Sequence, residues 1–324
     1  MQDGVLGKDR DIFLTDPLDT WTPEARGSSA RVFLGSIRNS NGYRRLAAVK
    51  FMRPDEIGYA TPMFIEEAII LNELKDVDGV MRMLELGFLK LENPHEIPPD
   101  SDSGTARNLR GQLVRLLPVE TTTYLNQIAS RLADGWLPYF VLERRYTENN
   151  LLLLCDKNRT RGRYLPVGTG LLCAARACAI LQTAHEHNIV YRDHKIIHYY
   201  WDDENQQLTL IDWNVAKQHP NGVSSHEIQH DLTQFAARAL HYIFTGRSVS
   251  GALPVGPTTS AEIEKAASLY NASWTYDDRK RLNRDIRQML ENALTGQYES
   301  ARALGDALEG LLPSLTGLPV SLTG

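Results

Sequence analysis

Apolar positions follow two different periods along this chain, and the change comes near residue 144. Before it they alternate or cluster in short blocks, as strands do; after it they recur every three or four residues, as helices do. Residues 31–37 and 46–52 flank Asn39-Ser40-Asn41-Gly42, a turn sequence that predicts a hairpin. Thr61 and Pro62 predict a helix N-cap and first helical position, with the helix running to about Lys75. Residues 80–88 read as a strand. Residues 92–110, rich in Pro, Ser, Asp and Asn, read as a solvated loop between strands, and residues 139–143 as a short apolar strand.

From about Asn149 the pattern is helical. Residues 169–187 are apolar nearly all round, which marks a buried helix, and Asn188 suits its left-handed C-terminal cap. Leu232, Phe235, Ala236, Ala239, Leu240, Ile243 and Phe244 keep helical spacing until Gly246 stops them. Two or three amphipathic helices fall within residues 261–312, and the rest reads as a loosely held tail. The expectation is an α+β protein with a small β-rich lobe over 1–143, a larger mainly helical lobe over 144–312, and a tail over 313–324.

Composition narrows the class. A chain of 324 residues, 42% of them hydrophobic, buries a full core. Its net charge of −5 gives no electrostatic footprint for nucleic acid. Cys155, Cys173 and Cys178 make no disulfide framework; the last two lie on different faces of one predicted helix and read as buried thiols. No charged-then-apolar leader opens the chain and no apolar run nears eighteen residues, so a cytoplasmic enzyme or binding protein without a membrane partner is expected.

Several polar residues sit where chemistry is at home. Period two puts Lys50 on the face of Leu46, Ala48 and Met52, and helical spacing puts Glu67 with Ile70, Leu71 and Leu74. Charges on apolar faces are costly unless paired, so the two are expected to meet, with Glu66 the competing partner and a snorkelling Lys the plainer reading. Asp193 and Lys195 share a tight loop after the buried helix, where a carboxylate can accept a hydroxyl proton and a cation can neutralise a transferring phosphoryl group. The plainer reading is a surface ion pair worth about 0–1 kcal/mol. Asp212 closes the apolar run 207–211 and offers Mg²⁺ a hard oxygen, or is a turn residue. Asp231 reads as an N-cap of the last long apolar helix. His185, His187, His194 and His198 crowd a short span without zinc-site spacing.

In this order the motifs resemble the protein kinase family. Ala47-Ala48-Val49-Lys50 resembles its V-A-I-K strand, and Glu67 the glutamate paired with that lysine. Residues 139–143 resemble the strand entering the hinge, with Leu142 as gatekeeper. Residues 191–198 (Tyr-Arg-Asp-His-Lys-Ile-Ile-His) resemble H-R-D-x-K-x-x-N, and Asp212-Trp213-Asn214 resembles D-F-G. Asp231 matches the buried helix aspartate that braces the catalytic loop. The resemblance covers roughly residues 20–312 and implies a two-lobed kinase-like fold with ATP and Mg²⁺ or Mn²⁺ as cofactors. It puts Gly27, Val32, Ala48, Lys50, Glu67, Leu142, Glu143, Arg145 and Tyr200 around the nucleotide. Asp212 and His198 stand at the metal, Asp193 is the base and Lys195 steadies the γ-phosphate.

The departures from that family are specific. Of three loop glycines only Gly27 remains, with Ala25 and Ala30 at the others. His198 replaces Asn, and an imidazole suits softer ions better than Mg²⁺. Tyr200 replaces an aliphatic floor under adenine. Sixteen residues separate Asn214 from Asp231, too few for the usual activation loop, and there is no A-P-E segment. The resemblance therefore implies a phosphotransferase acting on Ser/Thr of a protein or of itself. The alternatives are a nucleotide-binding scaffold without activity and a small-molecule kinase of the aminoglycoside and choline type.

Overall fold

A computed structural model describes residues 12–18, 29–38, 44–91, 107–109, 111–160, 164–247, 249 and 274–312. Gly27, Ala25, the turn 39–42, residues 92–106, 261–273 and the tail from 313 lie outside them. The protein is α+β and forms two compact units, one of residues 1–75 and 81–145, the other of 76–80 and 146–324.

The first unit is a seven-stranded antiparallel sheet with two helices. Its strands are β1 (Ile12–Pro17), β2 (Ala30–Arg38), β3 (Arg44–Met52), β4 (Met83–Leu91), β5 (Arg107–Leu109), β6 (Gly111–Leu116) and β7 (Leu137–Glu143), in the order β5-β1-β2-β3-β7-β4-β6. β2 and β3 pair from Ala30↔Met52 to Arg38↔Arg44, the hairpin expected from the turn sequence. Alternation sends Phe33, Val49, Phe51, Tyr139 and Val141 into one apolar cluster with Ile12, Leu14 and Leu89. The opposite face carries helices α1 (Ile57–Glu73) and α2 (Thr121–Ala133). Phe64 of α1 stacks on Phe140 at 4.9 Å, and Tyr124 of α2 stacks on Phe88 at 4.9 Å.

Four local expectations need correction. α1 starts at Ile57, after a 3₁₀ turn led by Pro54, so Thr61 and Pro62 are inside it. Thr61 Oγ1 donates back to the Ile57 carbonyl at 2.6 Å instead of capping. Pro62 is tolerated on an exposed face, where water can serve the carbonyl it leaves free. The strand placed at 80–88 runs Met83–Leu91, and Arg107–Leu109 of the supposed loop pairs with β1.

Gly87 of β4 has no room for a side chain: a Cβ would overlap the Val114 carbonyl oxygen and lie 3.1 Å from the Tyr139 hydroxyl. That hydroxyl donates to Glu85 Oε1 at 2.7 Å while Arg115 Nε donates to Glu85 Oε2 at 2.7 Å. Gly87→Ala should therefore cost about 1–3 kcal/mol, read as a lower denaturant midpoint at unchanged slope. An unchanged midpoint would show that the sheet gives way freely.

The second unit is mostly helical: α3 (Leu151–Thr160), α4 (Val167–Glu186), α5 (Ser225–Phe235), a π turn (Ala236–Leu240), α6 (His241–Thr245), α7 (Tyr276–Arg281), α8 (Arg284–Leu294) and α9 (Ala301–Gly310). Two small antiparallel pairs join them, β9 (Tyr199–Asp202) with β10 (Gln207–Leu210), and β8 (Ile189–Val190) with β11 (Lys217–Gln218). α4 is apolar and long enough for a bilayer span, but Leu171, Cys173, Ala174, Ala177, Cys178 and Leu181 are buried, as in a core helix. Burial pushes the Cys155 thiol up to about 12, so it is packing rather than reactive chemistry. Asn188 (φ 60°) and Gly246 (φ 67°) end their helices in the left-handed conformation, as their types predict. Gly79 (φ 85°) lets the chain at 76–80 approach β10, where Leu210 N donates to the Gly79 carbonyl at 2.7 Å.

Candidate active site

Residues 191–198 leave β8 as a loop that α5 holds from beneath. Asp231, fully buried, accepts from the backbone N–H of Tyr191 at 3.2 Å and of Arg192 at 2.8 Å. It also bonds Nε2 of His185 and Nε2 of His194, each at 2.9 Å. The cap of α5 is Ser224, whose Oγ accepts from Glu227 N, so Asp231 sits one turn and more inside the helix and is not its N-cap. Burial alone would raise its carboxyl, but His194 and His185 hold it well below the usual carboxylate range. Two of the crowded histidines therefore brace the loop. His194 is fixed further by its Nδ1, 2.6 Å from the Tyr199 hydroxyl.

On this platform Asp193 is 2% exposed, and Lys195 Nζ donates to its Oδ2 at 2.8 Å. The lysine side chain is 43% exposed, so the pair joins a buried acid to an accessible cation. His198 is buried with Nδ1 2.9 Å from the Asp193 carbonyl oxygen and 3.0 Å from the Tyr191 hydroxyl. Its Nε2 lies 3.6 Å from Asp212 Oδ2. Asp212 follows β10 in the left-handed region (φ 58°), a turn that aspartate tolerates. One donor atom from each of Asp193, His198 and Asp212 falls within 4.8 Å of the others. Trp213 is buried against Tyr191, with ring centroids 4.9 Å apart.

Arg192 is engaged by residues of its own unit. Its guanidinium is 3.6 Å from Glu227 Oε1 and 3.5 Å from His219 Nε2, and His219 is itself 3.1 Å from Glu227. The short segment after Asn214 is thereby tied to the loop by charge, as well as by the β8–β11 pairing.

In the first unit Lys50 and Glu67 meet as expected, Nζ to the two carboxylate oxygens at 2.9 and 2.8 Å, both residues buried. Glu66, the competing partner, is half-buried. Register places Val32 opposite Lys50, and Ala48 opposite Leu142; Ala48 and Leu142 are each 7% exposed. Glu143 N donates to the Arg82 carbonyl at 2.9 Å, and Arg145 reaches Glu143 Oε2 at 2.7 Å. Gly27 lies outside the described residues. In the second unit Tyr200 is half-buried, and burial pushes its phenol up.

Two participants carried no clear sequence signal. Tyr191 contributes its hydroxyl, which donates to the Ile211 carbonyl at 2.7 Å and lies against His198. Arg238, in the π turn, feels the charge of Asp193, while burial lowers its pKa. Irregular turns of this kind are frequent at functional sites, but Arg238 shows in the sequence only as one cation in an alanine-rich run. The comparisons find no family model and no curated protein that matches this chain.

Proposed function

We propose that the protein is an ATP- and metal-dependent phosphotransferase with a protein-kinase-like fold, working in the cytoplasm. The observation that carries this reading is the cluster of Asp193, His198 and Asp212 beside Lys195, on a loop braced by Asp231. The donor set fits a divalent cation: two carboxylates, one imidazole, and a buried Asp193 Oδ1 without a hydrogen-bond partner. When bound, such a cation neutralises charge on phosphate oxygens.

The chain's own residues do the rest. Asp193 orients the acceptor hydroxyl and takes its proton as the oxygen attacks the γ-phosphorus and the bond to the bridging oxygen breaks, that oxygen leaving with ADP. Lys195 offsets charge on the phosphoryl group in transit. In the first unit, the resemblance gives Lys50 to the nucleotide's phosphates. Its pairing with Glu67 is what that role requires, since an unpaired buried ammonium would lose its charge.

The acceptor is a Ser or Thr hydroxyl of a protein, including this one. A small hydroxyl compound is the second reading, favoured by the short, charge-tied segment between Asn214 and Asp231. The test is incubation with labelled ATP and Mg²⁺ or Mn²⁺, alone, with a generic protein acceptor, and with small hydroxyl or amino compounds. The expected result is a nucleotide-dependent rise in Tm together with label on protein. Label on the small compounds alone would favour the second reading. Absence of both the rise and the label would overturn the proposal.

A further inference from the structure

Burial without a partner is costly for a polar group, and the cluster at Asp193 holds one such atom. Asp193 Oδ2 accepts from Lys195, whereas its Oδ1 has no hydrogen-bond partner. His198, which faces Asp193, is 4% exposed. A carbonyl can only accept, so the 2.9 Å contact with the Asp193 carbonyl oxygen assigns the proton of the neutral ring to Nδ1. The Tyr191 hydroxyl gives its own proton to Ile211 and can only accept from that same Nδ1. Both partners thus select one tautomer. Nε2 is left with a lone pair on the side of Asp212, whose Oδ2 is 3.6 Å away.

A lone pair facing a carboxylate oxygen is repulsive unless a cation lies between them. A proton there would join Nε2 to Asp212 and still leave Asp193 Oδ1 unserved. A metal ion can serve all three donors. With bonds of about 2.0–2.2 Å it spans donor separations up to about 4.3 Å. One donor atom from each of the three residues lies within 4.8 Å of the others, so a closure of about half an ångström and small side-chain rotations bring the set to a common ion.

We propose that Asp193, His198 and Asp212 form a site for first-row transition ions, Mn²⁺ through Zn²⁺, that disfavours Mg²⁺ and fills without nucleotide. Mg²⁺ prefers an all-oxygen shell and gives up water reluctantly, whereas imidazole is a good ligand for the transition series. The fixed Nδ1–H is the outer contact that aims Nε2 at an ion. The site is built from the second unit alone and does not depend on the phosphotransferase reading.

The full-length protein, stripped with a chelator, is titrated with Mn²⁺ alone by electron paramagnetic resonance, and Zn²⁺ and Mg²⁺ are followed by competition. Expected is Mn²⁺ binding at least about tenfold tighter than Mg²⁺, with Zn²⁺ tighter still. His198→Asn should weaken Zn²⁺ at least about tenfold and bring Mn²⁺ and Mg²⁺ closer together. Asp212→Asn, at a side chain 26% exposed, should weaken all three and carries the test if the buried His198 variant does not fold. Equal affinities for Mn²⁺ and Mg²⁺, or Mn²⁺ binding untouched in the folded variants, would overturn the site. Absence of ATP turnover would not alter these titrations, so the two proposals fail separately.

Discussion

Asp231→Ala should destabilise the second unit by about 3–5 kcal/mol, the largest stability loss expected from a single change in this protein. The carboxylate is fully buried and accepts from two backbone N–H groups and two imidazoles. Alanine leaves all four donors in a space closed to water. The loss should show in urea or guanidinium unfolding as a lower midpoint. Asp231→Asn keeps the volume but offers one acceptor oxygen and turns an N–H₂ toward donors, so it should fall close behind. The sign with pH follows from a folded-state pKa held below the usual one. Asp231 contributes fully above about pH 3.9, and that contribution is lost as pH falls below it toward the folded-state value. The acid limb of stability should therefore be shallower in the alanine variant. A variant within about 1 kcal/mol of wild type at neutral pH would mean that the loop is held by something other than this anion.

What was legible in the sequence shares one physical basis: positions where burial or backbone geometry leaves a single residue type room. Asn188 and Gly246 are left-handed caps because few residues accept that conformation. Lys50 and Glu67 each fall on an apolar face, and charge on such a face has to be paired. Once the partners were Glu66 or Glu67, the helical face decided between them, as Glu67 is 1% exposed.

Elements that escaped did so where local and tertiary preferences disagree. α2, in a stretch to which the pattern assigns no element, begins with Thr121, Thr122 and Thr123, β-branched residues of low helix propensity, yet Tyr124 and Ile128 give it a face to bury against the sheet. Thr61-Pro62 carries a helix-start signal inside a helix that Pro54 had already begun. Asp231 carries an N-cap signal, but Ser224 with Glu227 forms the stronger box and extends α5 by two turns. Its four donors lie 37–46 residues away in sequence, a distance at which no periodicity speaks. The role of the Tyr191 hydroxyl was hidden for the same reason. It depends on Ile211, twenty residues on, taking its proton.

Asp193→Asn, assayed at saturating metal and ATP, should lower turnover about 10²–10⁴-fold, the contribution typical of a positioned general base. The amide fills the same volume and still offers Lys195 an oxygen, so the loop should keep its shape and Tm should change little. What it cannot do is take a proton from the acceptor hydroxyl. Loss should therefore fall on kcat, with the KM for ATP nearly unchanged, the pattern of an interaction made in the transition state. Changing Lys195 to Ala removes a half-exposed cation instead and should be milder. If a folded Asp193→Asn protein keeps more than about a tenth of wild-type turnover, Asp193 does not act as the base. Its buried, unpartnered Oδ1 would then belong to the metal alone. That outcome would leave proton removal to solvent or to the substrate's own phosphate.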